Sequence, residues 1–184
     1  KINNFIFSGS HGIGKTTLAR ILATQANLPF EQMSAISSGV KELRAIIEEA
    51  KTFGTKVVFI DEIHRFNKSQ QDALLGAVEN GTIILIGATT ENPSFEVNAA
   101  LLSRCQVYIL HSFSKEDLIA LLHRAIEKDE ILQKKKITIK EYEALLRLSG
   151  GDGRKLLNIF ELVINASKSE HITITNELVL NLVQ

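Results

Sequence analysis

The chain has 184 residues, of which 45% are hydrophobic and 23% charged, and its formal net charge is +0. This length suits one core domain with a small satellite, and neutrality excludes a surface built throughout to coat nucleic acid. The single cysteine cannot form an internal disulfide, and no apolar run is long or early enough for a membrane span or signal peptide, so we expect a cytoplasmic protein with no membrane partner.

Strand-like and helical segments alternate over the first 110 residues. The predicted strands are "NFIFSG", "LPFEQMS", "KVVFID", "TIILIGATT" and "QVYIL". Between them, "KTTLARILATQ", "SGVKELRAIIEEAKTF" and "NKSQQDALLGAVEN" have helical spacing. The strands are apolar throughout instead of alternating, which is typical of a parallel sheet with helices on both faces. The pattern therefore predicts an α/β fold.

The pattern becomes almost entirely helical after residue 110. Ser114 is a predicted N-cap, with Asp117 in the capping-box position of the first helix. We therefore predict an α/β core over residues 1–112 and a helical domain over residues 113–184. Two similar segments, "KITIK" and "HITIT", are either a small two-stranded ribbon or two extended lead-ins to helices.

Residues 9–16, "GSHGIGKT", fit the phosphate-loop pattern G-x-x-x-x-G-K-[ST] between a strand and a helix. Glycines let the backbone N–H groups turn towards phosphate oxygens, and the helix presents its positive end to the same anion. Lys15 would bridge the β- and γ-phosphates of ATP, and the Thr16 hydroxyl would ligate Mg²⁺. The alternative is a chance glycine-rich turn, which the flanking elements disfavour. The predicted nucleotide-binding residues are Gly9, Ser10, His11, Gly12, Ile13, Gly14, Lys15, Thr16 and Thr17.

Polar residues also end two later strands. Asp61 ends "KVVFID" and is predicted to hold Mg²⁺ through water, while Glu62 would polarise the attacking water. Alone, either acid could be a solvated strand end. Thr90 follows "TIILIGAT" and would contact the γ-phosphate or its water, although threonine often ends strands only as a turn or cap residue.

These motifs occur in the order of the AAA+ ATPases of the clamp-loader clade. The segments are "GSHGIGKTT", "VVFIDEIHRF", "IGATTENPSF" and "LLSRC". More narrowly, "DEIHRFNKSQQDALL" with "GATTENPSFEVNAALLSRCQVY" resembles the RarA family, and the similarity extends from about residue 7 to residue 161. The resemblance implies a P-loop ATPase that depends on DNA and acts at stalled or damaged replication forks, often alongside single-strand-binding protein.

The resemblance also implies a role for individual residues. It places the Walker A lysine and threonine on Lys15 and Thr16, Walker B on Asp61 and Glu62, sensor 1 on Thr90, the arginine finger on Arg104, the sensor 2 arginine of a helical lid on Arg154, and a polar switch that restrains Glu62 near Ser34. The family's loop usually reads G-P-P-G-T-G-K-T, whereas Ser10, His11 and Ile13 replace its prolines and threonine here. The family's adenine-recognising and C-terminal oligomerisation segments have no counterpart in this sequence, which resembles an excised AAA+ module. For the full-length protein, the resemblance implies a homo-oligomer.

Arg104 lies beside Cys105, the only cysteine, and no acid is near it in sequence. It could activate the thiol, lie free on the surface, or reach the nucleotide of a neighbouring subunit. We favour the last interpretation, because the resemblance implies a topology in which Arg104 faces away from its own glycine loop and towards the nucleotide of a neighbouring subunit. Activation of the thiol is disfavoured, because the sequence places no histidine or second cysteine close to Cys105, which leads into an apolar strand. Arg154, in "GDGRKLLN", could likewise be a surface charge at a helix start.

Contact with DNA is predicted for His64, Arg65 and Lys68, at the start of a helix, where they would bind phosphates of single-stranded or forked DNA. A solvated helix start is the alternative. The favoured function is an ATP-driven remodeller of replication-fork DNA. The alternatives are a related motor, such as a Holliday-junction branch-migration helicase or a clamp-loader subunit, and a scaffold that binds nucleotide without hydrolysing it.

Overall fold

The computed structural model describes residues 2–167, 169 and 171–183. The chain divides into two compact units. The first comprises Lys1–Ser10 and Gly14–Leu110, and the second comprises His11–Ile13 and His111–Gln184. Within the described residues, no helix is both long and apolar enough to cross a membrane.

The first unit is built on a five-stranded parallel sheet. Its strands are β1 (Phe5–Ser8), β2 (Phe30–Ser34), β3 (Lys56–Asp61), β4 (Ile83–Thr89) and β5 (Gln106–Ile109). They lie in the order β2-β3-β4-β1-β5, and every neighbouring pair is parallel. The predicted α/β fold with a parallel sheet is therefore confirmed.

Helices cover the inner strands on both faces. They are α1 (Lys15–Gln25), α2 (Val40–Phe53), α3 (Lys68–Glu79) and the short α4 (Pro93–Glu96) and α5 (Ala99–Leu102), with a 3₁₀ turn at Ile63–Arg65. Val57 and Phe59 of β3 pack in the cluster that contains α1 residues, whereas Val58 and Ile60 pack in the cluster with α2 and α3. Successive residues of a strand face opposite sides, so the uniform apolar pattern reflects burial on both faces. The edge strand β5 differs, because all four of its residues are exposed.

The second unit is mainly helical. It contains α6 (Lys115–Lys128), a 3₁₀ turn (Leu132–Lys134), β6 (Lys136–Ile139), α7 (Glu143–Ser149), α8 (Gly153–Ala166), β7 (His171–Ile174) and α9 (Asn176–Val183). Strands β6 and β7 pair in parallel, with Lys136 opposite His171, so the two similar segments form the ribbon. Buried apolar residues of α6, α7, α8, β7 and α9 form the core of this unit.

The capping box predicted at the start of α6 is present. The Ser114 hydroxyl accepts a hydrogen bond from the backbone N–H of Asp117 at 3.1 Å, and the Asp117 carboxylate accepts one from the backbone N–H of Ser114 at 3.1 Å. Two N–H groups that the helix itself leaves unpaired are satisfied in this way. The start of α6 is therefore determined by residues adjacent in sequence.

Candidate nucleotide-binding site

The glycine loop, residues 9–14, joins β1 to α1. Gly14 is the N-cap of α1 and has φ 93°, in the left-handed region, where a residue with a Cβ would be strained. In the described chain, α1 has no side-chain cap and no acidic residue in its first turn. Its N–H groups and positive dipole end are therefore suited to an anionic ligand, which fits the phosphates of ATP.

Lys15 is the first residue of α1 and is only 8% exposed. Its ammonium group donates hydrogen bonds to the carbonyl oxygens of Gly9 at 2.6 Å and Ser10 at 2.7 Å. The backbone N–H of Gly9 donates to the carbonyl of Thr89 at 3.0 Å, which ties the start of the loop to the end of β4. The charge of Lys15 is thus held beside the first two residues of the loop.

The middle of the loop, residues 11–13, belongs to the second unit. Gly12 has φ 69°, and its carbonyl accepts a hydrogen bond from the backbone N–H of Gly153 at 3.1 Å. A Cβ on Gly12 would lie 1.7 Å from a carboxylate oxygen of Asp152. Glycine therefore suits the left-handed backbone at this position, and any side chain here would also have to displace the carboxylate of Asp152.

Glu62 follows the last residue of β3 in a constrained position. It is 8% exposed and has φ 54°, a left-handed conformation that costs a non-glycine residue about 1–3 kcal/mol. The Asp61 carboxylate accepts a hydrogen bond from the backbone N–H of Glu62 at 3.2 Å. The hydroxyl of Thr90 donates to Oε2 of Glu62 at 3.2 Å. The second acid is therefore held in position, and it is not a freely solvated strand end.

The strand order explains why Thr90 reaches Glu62. Strand β4 lies between β1 and β3, so the residues at its carboxyl end lie beside both the glycine loop and the end of β3. This is the edge at which parallel α/β sheets bind ligands. The hydroxyl oxygen of Ser34 accepts from the N–H of Ile36 at 3.3 Å, and the polar switch expected near this residue stays a prediction.

His64 is a site residue that sequence reasoning assigned to a different role. Its Nδ1 lies 2.8 Å from the hydroxyl oxygen of Thr89 and 3.4 Å from Oε2 of Glu62, and its side chain is 6% exposed. The prediction that His64 faces DNA is wrong, because the 3₁₀ turn after Glu62 directs its ring inwards. Arg65 and Lys68 are exposed.

The residues predicted to hold Mg²⁺ are compatible with that ion. Thr16 is partly exposed at the start of α1, and Asp61 is partly exposed at the end of β3. The described residues contain no cluster of three or more His, Cys, Asp or Glu side chains that could hold a metal alone. Magnesium bound with a nucleotide typically uses one or two carboxylates, substrate phosphates and water. One hydroxyl and one carboxylate match that chemistry.

Arg104 lies at the opposite edge of the sheet, where the strands begin. It precedes β5, and its guanidinium donates to the carbonyl of Ala100 at 2.6 Å and to the hydroxyl of Ser103 at 3.1 Å. It also forms an ion pair with Glu79, at the end of α3, a partner that its sequence neighbourhood did not reveal. The two side chains are 39% and 42% exposed, so the pair contributes little stability, typically about 0–1 kcal/mol.

Cys105 and Arg154 are two further residues for which the sequence left alternative roles open. Burial raises the pKa of Cys105 to about 11, so its thiol is protonated at neutral pH and is not an activated nucleophile. Arg154 is exposed in the first turn of α8, and the structure gives its side chain no hydrogen bond or ion pair among the described residues. The N-cap of that helix is Asp152, which accepts from the N–H of Lys155 at 2.9 Å.

Residues 5–113 match the family described as ATPase family associated with various cellular activities (AAA). This match covers more than half of the sequence and includes the glycine loop, both acids, Thr90 and Arg104. The chain belongs to the AAA family of ATPases.

Within this family, the chain is similar to proteins named for replication-associated recombination and to an ATPase named WRNIP1. It is 46% identical over 174 residues to Replication-associated recombination protein A of Escherichia coli strain K12, covering 91% of this chain and 39% of that protein. It is 46% identical over 176 residues to ATPase WRNIP1 of Dictyostelium discoideum, covering 92% of this chain and 20% of that protein. The predicted resemblance to the RarA family is confirmed, and the chain spans at most about two fifths of these relatives.

A solved structure shows the same fold. The Thermotoga maritima RuvB Holliday junction branch migration motor is 26% identical and superposes with a TM-score of 0.78, covering 98% of this chain and 60% of that one. The likeness extends over nearly the whole chain, beyond the segment that matches the family.

Proposed function

We propose that this chain is the ATP-hydrolysing module of a DNA-dependent ATPase that remodels or protects stalled replication forks. The observation that carries the proposal is the buried Glu62 carboxylate, held by Thr90 at the same sheet edge as the glycine loop. Membership of an ATPase family and similarity to proteins named for replication-associated recombination support it.

The glycine loop and α1 would bind the phosphates of ATP. The ammonium of Lys15, which now donates to Gly9 and Ser10, would exchange those carbonyls for β- and γ-phosphate oxygens. Thr16 and Asp61 would hold Mg²⁺, which neutralises charge on the phosphates when it is bound. Thr17 and the remaining loop residues would supply backbone and side-chain contacts at the start of α1.

Glu62 would orient a water molecule towards the γ-phosphate and accept a proton from it. Such a carboxylate must have a defined direction, because catalysis by positioning depends on the reacting atoms being aligned. The hydrogen bond from Thr90 supports this role, since it links Glu62 to a residue that can also approach the γ-phosphate. Thr90 would thereby report the state of the nucleotide.

Arg104 would act on the nucleotide bound by a neighbouring copy of the chain. Its position at the amino-terminal edge of the sheet, opposite the end of β1 that carries the glycine loop, supports action in trans. An arginine that reaches a transferring γ-phosphoryl group contributes about 10³–10⁵ in rate in enzymes that use one. In an assembly, Arg104 would exchange Glu79 for that phosphate, and Arg154 would add a second positive charge from α8.

DNA would be bound through its backbone by Arg65 and Lys68. Both side chains are exposed just after the Asp61–Glu62 segment, and contacts of this kind are sensitive to salt and indifferent to sequence. Single-strand-binding protein is a proposed partner on the strength of the RarA resemblance alone. The site of action would be the cytoplasm, in association with the nucleoid if the source is a bacterium.

A Holliday-junction motor is the second candidate, favoured by the fold similarity to RuvB at a TM-score of 0.78. The higher sequence identity to the recombination proteins, 46% against 26%, supports the first. A clamp-loader subunit is a further related motor. A non-hydrolysing scaffold is disfavoured, since Lys15, Asp61 and Glu62 are all retained.

The test is phosphate release by the complete protein that carries this chain, measured without DNA and with single-stranded, forked or four-way-junction DNA. We expect release that single-stranded or forked DNA stimulates and that Lys15→Ala abolishes. Stimulation by the four-way junction alone would favour the branch-migration motor, and nucleotide binding without release would favour the scaffold. The proposal is overturned if Lys15→Ala leaves nucleotide affinity and turnover unchanged.

A further inference from the structure

We propose that His64, anchored by Thr89, is a positioning residue that orients the Glu62 carboxylate for hydrolysis. The inference rests on the catalytic role proposed above for Glu62. Its basis is a buried arrangement in which one imidazole nitrogen lies between a hydroxyl oxygen and the carboxylate.

The neighbours of His64 determine which ring nitrogen carries hydrogen. Nδ1 faces the Thr89 hydroxyl oxygen at 2.8 Å and Oε2 of Glu62 at 3.4 Å. An ionised carboxylate can only accept, whereas a hydroxyl oxygen can accept or donate. Hydrogen on Nδ1 therefore suits both neighbours, whereas a bare nitrogen would oppose its lone pair to the carboxylate. We assign the Nδ1–H tautomer.

Thr89 is anchored independently of His64. It is completely buried, and its hydroxyl oxygen accepts a hydrogen bond from the backbone N–H of Glu91 at 3.0 Å. The same hydroxyl can donate to the carbonyl of Glu91 at 3.5 Å, which leaves its oxygen free to accept from Nδ1–H of His64. The imidazole is therefore hydrogen-bonded to a buried and anchored residue at the end of β4.

The 3₁₀ turn that carries His64 is seated directly on β4. Ile63 is fully buried, and a Cβ on Gly87 would lie 2.9 Å from Cδ1 of Ile63 and 2.7 Å from Cδ1 of Ile6. The lack of a side chain on Gly87 lets the turn approach the strand closely. His64, one residue after Ile63, then meets Thr89, two residues after Gly87.

Two polar groups consequently lie beside one carboxylate oxygen. The Thr90 hydroxyl donates to Oε2 at 3.2 Å, and Nδ1 of His64, whose hydrogen is donated to the Thr89 hydroxyl oxygen, lies 3.4 Å from the same Oε2, where its positive N–H end attracts the carboxylate. Together they restrict rotation of the Glu62 carboxylate, whose backbone is already in the left-handed region. Loss of His64 would leave the carboxylate less restrained, and the rate of hydrolysis would fall without a change in nucleotide affinity.

The experiment compares His64→Leu with His64→Asn in the complete protein. Leucine fills the buried space without a donor, whereas the amide nitrogen of asparagine, attached to Cγ as Nδ1 is, can replace that donor. We expect His64→Leu to lower kcat by about 10–100-fold, the range seen when groups that orient catalytic ligands are removed, with unchanged nucleotide affinity. His64→Asn should recover most of the loss. The control is His171→Leu on β7, where the histidine is exposed.

A second comparison tests whether His64 acts through Glu62. In a Glu62→Gln background, His64→Leu should cause no further loss of turnover, because groups that act as a unit are not additive. Thr89→Val should also lower kcat, as His64→Leu does. It tests the same inference if the His64→Leu protein fails to fold. Equal loss in the leucine and asparagine variants, or an unchanged kcat in His64→Leu, would overturn the inference. Failure of the wild-type protein to hydrolyse ATP would instead overturn the proposed function itself.

Discussion

Glu62 combines two unfavourable features with one compensating contact. Its side chain is buried and its backbone is left-handed, while its carboxylate accepts a hydrogen bond from Thr90, which follows the neighbouring strand β4. Burial of a carboxylate is unfavourable unless hydrogen bonds compensate for the lost water, and strained backbone persists only where the surroundings stabilise it. These features are typical of residues retained for chemistry.

The residue prediction concerns Glu62→Gln. The amide keeps the length and hydrogen-bonding capacity of the side chain but cannot take a proton from water, so ATP binding should persist while turnover falls by about 10²–10⁴-fold. Equilibrium nucleotide binding and single-turnover hydrolysis measure the two effects. Glu48→Gln, at an exposed position on α2, is the matched control and should leave both unchanged. Unaltered turnover in Glu62→Gln would remove this residue from the catalytic step.

The start of α6 shows how hydrogen bonds between neighbouring residues change the ionisation of a side chain. At α6, the hydrogen bond from the Ser114 hydroxyl is the main cause that holds the pKa of Asp117 below its ordinary value of 3.8, followed by the bond from the Ser114 backbone. A carboxyl whose pKa is lower in the folded state stabilises the fold above its unfolded pKa. That stability is lost as the pH falls through the folded pKa.

The prediction for helix α6 follows from this pH dependence of stability. Ser114→Ala should lower the Tm at pH 7, where the capping bond to ionised Asp117 is fully present. The deficit relative to wild type should shrink as the pH falls below 3.8 and through the lower pKa of Asp117 in the folded protein, where its carboxylate becomes protonated. Thermal unfolding followed by circular dichroism across this range measures the deficit. Ser69→Ala, at an exposed position in α3, provides the comparison, and a deficit in Ser114→Ala that is independent of pH would contradict the capping account.

The first unit carries its proposed chemical groups at two opposite edges of one sheet. The glycine loop, Asp61, Glu62 and Thr90 follow the carboxyl ends of strands, whereas Arg104 precedes the amino end of β5. Parallel strands give the sheet this polarity, since all of them end at the same edge. If both edges serve one reaction, the second edge must come from another copy.

The prediction for the assembled molecule is complementation between two inactive variants. Lys15→Ala and Arg104→Ala proteins should each hydrolyse ATP poorly, whereas a mixture should regain activity where an intact arginine meets an intact glycine loop. Phosphate release against mixing ratio measures the effect, and Arg124→Ala, exposed on α6, is the control. Normal hydrolysis by Arg104→Ala alone, or a mixture that assembles and stays inactive, would exclude the trans role.

Features that depend on residues close in sequence could be predicted from the sequence alone. The apolar runs predicted the parallel sheet, the glycine spacing predicted a loop between β1 and α1, and Ser114 with Asp117 predicted the start of α6. Each depends on short-range geometry, such as the twofold repeat of a strand or a hydrogen bond between residues three apart. Local pattern is sufficient for such features.

Contacts between segments that are distant in sequence could not be predicted from local pattern. The approach of His64 to Thr89 and the ion pair of Arg104 with Glu79 join residues many positions apart. The pairing of β6 with β7 does so too, and the sequence had left it open between a ribbon and two separate segments. They follow from the order of strands in the sheet and from the direction of one 3₁₀ turn. Local propensities determine which segments become strands and helices, but the packing of the whole chain selects which of their ends become neighbours.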